Sequence, residues 1–186
     1  MFSDFLNNVY GMLFEPKKTI EKLSEKPEVF QSVLLMIFIS FFLSILFFGV
    51  GKNIFLFLFF SIWICFSSVV WWMLLAAFYE LVANIFVQKS KYKSVLCLLS
   101  FCLLPWIFMA PLELLKNAGV CGSFIGIYGE LALWIWTGVL MFFSLKKVYE
   151  LKALRAFLFL ILPFIAGVVS LNLFISFIVN IVKIFS

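Results

Sequence analysis

Four stretches of this sequence, residues 29–51, 53–79, 94–112 and 156–182, carry almost nothing but apolar side chains, and none contains an acidic or basic residue. About 20 apolar residues suffice for a helix to cross the ~30 Å hydrocarbon layer of a bilayer. A fifth run, 131–145, is too short to cross alone, so its helix is expected to begin near Ile125 and to take Glu130 in with it. The runs are continuous and do not alternate, which favours helices over barrel strands. The expected fold is therefore all-α: an integral membrane bundle of five transmembrane helices at about residues 30–50, 54–80, 94–112, 125–145 and 156–182. A cytoplasmic N-terminal segment, 1–28, precedes the transmembrane domain, 29–186.

Charged residues make up only 12% of the chain, against about 25% in soluble domains, and their placement gives the topology. Lys17, Lys18, Lys22 and Lys26 precede span one; Lys89, Lys91 and Lys93 lie between spans two and three. Lys146, Lys147, Lys152 and Arg155 lie between spans four and five, while only Lys52, Lys116 and Lys183 fall on the other side. Basic residues mark cytoplasmic loops, so the N-terminus is expected inside and the C-terminus outside. The net charge of +5 is then explained by topology and by contact with anionic lipids at the cytoplasmic face, without nucleic acid. The first apolar run starts too late and runs too long for a cleavable signal, so it is expected to stay as a span.

Several activities are disfavoured by what is missing. There is no histidine, the commonest metal ligand and the usual general base of hydrolases. The four cysteines, Cys65, Cys97, Cys102 and Cys121, form no C-x-x-C pair, and the first three lie in apolar runs where cysteine acts as a small hydrophobe. No catalytic, cofactor-binding or metal-binding residues are expected, and the chain reads as a non-enzyme.

The N-terminal segment has its own pattern. Phe2, Phe5, Leu6, Val9, Leu13 and Phe14 recur at helical spacing with Ser3, Asp4, Asn7 and Asn8 between them, as in a short amphipathic helix on the membrane surface or packed on the cytoplasmic loops. Pro16 suits the first turn of a second helix, over residues 17–26, with Ile20 and Leu23 on one face. Within the membrane, Pro105 and Pro163 each remove a donor from a mid-span carbonyl, at Phe101 and Phe159. Ser61, Cys65, Ser68, Ala76 and Ala83 form a small-residue face on span two that Trp72 interrupts, and Gly122 and Gly126 form a G-x-x-x-G at the start of span four. Tyr79, Tyr92, Tyr128 and Tyr149 fall at expected interfaces, and the deeper tryptophans suggest aromatic packing between spans two and four. Glu130 is the one carboxylate expected inside a span, snorkelling, pairing with Lys116, or serving a proton- or cation-linked role.

Phe14-Glu15-Pro16-Lys17-Lys18-Thr19 ahead of span one resembles the N-terminal hydrophobic-x-Pro motif of bacterial Yip-domain proteins. Lys91-Tyr92-Lys93-Ser94 with the run to Leu104-Pro105 resembles that family's entry into its third span. Trp134-Ile135-Trp136 and Leu151-Lys152-Ala153 resemble its fourth span and following loop. The resemblance implies a five-span bundle with a cytoplasmic N-terminus. Eukaryotic members are linked to Rab-type GTPases and carry an acidic Asp-Leu-Tyr-Gly-Pro-like motif. Only Glu15-Pro16 corresponds to it here, so a GTPase partner does not carry over. The expected function is a non-enzymatic multi-pass protein of the bacterial cytoplasmic membrane that organises lipids or other membrane proteins through its cytoplasmic face. The alternative is a small transporter or channel component with a path near Glu130, Pro105 and Pro163.

Overall fold

The computed structural model describes residues 2–48, 54–88, 90–116 and 119–185; Lys52 and Lys89 of the charge pattern lie outside them. All described secondary structure is helical. Two short helices, α1 (Phe2–Phe14) and α2 (Pro16–Glu25), precede α3 (Val29–Phe48) and α4 (Ile54–Phe86). Then come α5 (Tyr92–Cys102), a 3-10 segment (Leu104–Phe108), α6 (Met109–Lys116), α7 (Val120–Val148) and α8 (Ala153–Phe185). Five helical segments are long and apolar enough to cross a membrane: Val29–Leu46, Ile54–Phe86, Tyr92–Lys116, Val120–Val148 and Ala153–Phe177.

The third of these is the hub. Every residue from Ser94 to Cys102 is buried, and α5 packs against α3, α4 and α7. Its sequence permits this, because Ser94, Cys97, Ser100 and Cys102 are small enough for neighbouring helices to approach closely. Several polar atoms inside the bundle find partners there: the Trp72 indole N–H donates to the Leu96 carbonyl at 3.0 Å, Cys102 Sγ meets Ser144 Oγ at 3.3 Å, and Ser44 Oγ donates to Ser61 Oγ at 3.0 Å. Trp72 thus completes the small face of α4 instead of spoiling it. Ser61, Trp72, Ala76 and Ala83 are all buried. By contrast α4 and α8 turn most of their surface outward, as lipid-facing helices do.

The two mid-span prolines behave differently. At Pro105 the α-helix gives way to the 3-10 segment, in whose first turn the missing N–H removes no bond. Pro163 sits inside α8, which continues through it to Phe185. Aromatic packing also departs from expectation. Trp106 meets Trp134 edge-on with ring centroids 4.9 Å apart, and Phe108 stacks on Trp136 at 6.0 Å, so these contacts join the 3-10 segment to α7 and not span two to span four. Of the expected interfacial tyrosines, Tyr79 and Tyr149 are buried, while Tyr128 is exposed.

At the start of the chain, α1 packs against α2, α5 and the 3-10 segment. Phe5, Val9 and Leu13 lie against the core and Met12 is fully buried. Asn8, expected on the polar face, is buried too: its Nδ2 donates to Gln31 Oε1 at 2.9 Å, and Lys22 Nζ donates to its Oδ1 at 2.8 Å. Pro16 starts α2, and Ile20 and Leu23 are buried together beneath it.

Candidate functional site

Charged groups gather at two places. The first is where the C-terminal part of α4 meets the α4–α5 loop and the end of α7. α7 closes with Glu150 in the left-handed region at φ 55°, with the Leu151 N–H donating to the Lys146 carbonyl at 3.0 Å. This turn directs Tyr149 inward, where its hydroxyl donates to Glu80 Oε2 at 2.8 Å. The Lys91 backbone N–H donates to the same oxygen at 3.3 Å. Glu80 is only 8% exposed, and its Oε1 is buried with no hydrogen-bond partner. Burial first, and the bond to Glu80 second, hold the Tyr149 phenol well above its ordinary pKa, so it stays a donor at neutral pH. Around this buried pair lies a looser shell: Lys91 Nζ stands 3.9 Å from Glu150, and Lys147 pairs with Glu21 of α2.

The second cluster lies where α6 turns into α7. Lys116 Nζ pairs with both Glu113, at 2.9 Å, and Glu130. The glycines of α7 make room for it. A Cβ on Gly126 would strike the Lys116 stem and come within 3.3 Å of the Leu112 carbonyl oxygen, and one on Gly129 would strike the Leu112 side chain. Gly126, the second glycine of the G-x-x-x-G, therefore serves, with Gly129, contact between α6 and α7 of one chain. Glu130 is 26% exposed and has its cation in place, which matches the pairing expected for it.

The five residues singled out from sequence do not converge on one site. Glu130 lies in this second cluster and Pro105 at the break of the third span, while Pro163 is in α8. Glu15 precedes α2 without capping it through its side chain, and instead bonds Lys18 Nζ at 2.6 Å. That bond, reinforced by the opposite charge, raises the Lys18 pKa. Glu130 is separated from Lys147 by 17 positions of α7, about 26 Å at 1.5 Å per residue. Sequence reasoning missed Glu80. Its position after Tyr79 at the end of an apolar run reads as a span end, and nothing local shows that Tyr149 folds back onto it.

Comparison of the chain with curated proteins and with solved structures gives no match. The family model of the Yip1 domain matches residues 10–174, from within α1 to within α8, and so covers most of the chain, four of the five long apolar segments in full and most of the fifth. The Yip-domain motifs around Pro16, Leu104-Pro105 and Trp134 fall inside this match, and the chain belongs to the Yip1 domain family.

Proposed function

We propose that this protein is a non-enzymatic organiser of the bacterial cytoplasmic membrane, gathering anionic lipids or other membrane proteins on the face that carries α1, α2 and the basic loops. The observation that carries this reading is a stripe on α1. Leu6, Tyr10 and Phe14 recur every four residues and are all exposed, with the Tyr10 and Phe14 rings 4.6 Å apart. Because Phe5, Val9 and Met12 already fix α1 to the bundle, the stripe is spare apolar surface held rigidly beside Lys17 and Lys18. An apolar stripe beside basic residues suits the boundary between acyl chains and anionic headgroups. The charge distribution supports a cytoplasmic N-terminus.

The test is to replace Leu6, Tyr10 and Phe14 together with serine and to crosslink in native membranes. The variant is expected to insert and fold while losing most of its lipid and protein crosslinks on α1. An unchanged crosslinking pattern overturns the reading.

A further inference from the structure

A cavity of about 560 Å³ opens between α2 and the end of α7. Lys17, Lys146 and Lys147 line it together with the carboxylates Glu21 and Glu150 and the apolar Ile20, Phe143 and Leu151. Its two acidic neighbours are already engaged: Glu21 with Lys147, and Glu150 with Lys91 at 3.9 Å. Among the described residues, neither Lys17 nor Lys146 has a carboxylate at ion-pairing distance. Two unneutralised ammonium groups therefore face one space. Its depth matters as much as its charge. Phe143 belongs to the long apolar segment Val120–Val148, whereas Lys146 lies in its last turn and Lys17 on α2. The cavity thus runs from the edge of the apolar layer into the basic surface.

Resting on the organiser reading above, we infer that this cavity binds the phosphate of an anionic glycerophospholipid, with Lys17 and Lys146 supplying the charge and Phe143 receiving the first carbons of its chains. The volume lies within the range of small-ligand sites. A free phosphate satisfies the lysines but leaves the apolar wall uncovered. A zwitterionic lipid covers the wall but brings its own cation to a site with two. An anionic lipid satisfies both.

The full chain is reconstituted in nanodiscs of equal phosphatidylglycerol and phosphatidylcholine, and the lipids retained on extraction are counted by native mass spectrometry. Wild type is expected to retain phosphatidylglycerol in preference, and K17Q/K146Q to lower that preference about 25-fold, since each lysine near an anionic lipid surface contributes about one factor of five. K18Q/K152Q removes the same charge outside the cavity and is expected to lower the preference far less, while K17R/K146R is expected to keep it. Should the double glutamine variant fail to fold, K17Q and K146Q singly read the same ratio. Equal preference in wild type and K17Q/K146Q overturns the assignment, and so does an equal loss in K18Q/K152Q. Displacement of the lipid by millimolar inorganic phosphate overturns a lipid as the occupant. The organiser reading fails separately, through the α1 serine variant.

Discussion

Glu80 and Glu130 are both carboxylates on long apolar helices, yet the molecule handles them in opposite ways. Glu130 receives a full opposite charge from Lys116, shares it with Glu113 and remains about a quarter exposed. Glu80 is buried, receives only a phenol and a backbone N–H on one oxygen, and leaves the other bare. An exposed pair costs little to form and little to lose, whereas a buried group with few donors depends heavily on each one. The difference teaches that the carboxylate with the weaker chemical partners is the one more tightly bound into the fold.

The largest expected effect follows from this. Tyr149→Phe keeps the ring and removes the one side-chain donor to Glu80. It should cost about 2–3 kcal/mol, the upper range for a hydrogen bond to a charged group. The melting midpoint in detergent measures it, and a loss below that of Lys116→Met would break the comparison. Lys116→Met keeps the stem that lies over Gly126 while removing the charge. It should lower the melting midpoint less than Tyr149→Phe does, because Lys116 and its two carboxylates are about a quarter to a third exposed. Adding Glu130→Gln to it should recover part of the loss.

A pH effect of about 1 kcal/mol sharpens the contrast. The folded-state pKa of Tyr149 is raised, so its contribution to stability is complete below the unfolded-state value of about 10 and is lost as pH climbs above it. Between pH 9 and pH 11, wild type should therefore lose about 1 kcal/mol more than Tyr149→Phe in parallel unfolding titrations. The smallest effect is expected at Lys18→Gln, which breaks an exposed pair with Glu15 and should leave the melting midpoint essentially unchanged.

What was legible in the sequence was whatever lipid dictates. A run without charge must become a helix, so four of the five long apolar segments could be read directly, the fifth only by extending a short run to take in Glu130, for which pairing with Lys116 was one of three readings. Pro16 and the Ile20–Leu23 face of α2 were legible because caps and helical periodicity are local. Contacts across the bundle were not. Tyr79 and Tyr149 read as interface residues because aromatic placement at span ends is a statistical habit, and only the turn at Glu150 shows that Tyr149 points inward. Pro105 and Pro163 look equivalent in the sequence. Their neighbours separate them: the first stands where α1, α3 and α7 surround the backbone, the second on a helix turned largely outward.

The position of α2 bears on the order in which this molecule can be completed. Its Ser24 carbonyl accepts from Ser94 Oγ and its Glu21 pairs with Lys147, partners 70 and 126 residues further along the chain. Synthesis runs from the N-terminus, so α2 leaves the ribosome long before its docking surface has been made. Until α5 and α7 are inserted, α2 has only α1 of its final partners in this chain to pack against, and the membrane surface is a nearby apolar shelter. A segment translated ahead of all five spans is therefore among the last to reach its final place, and its docking reports that the third and fourth spans are home.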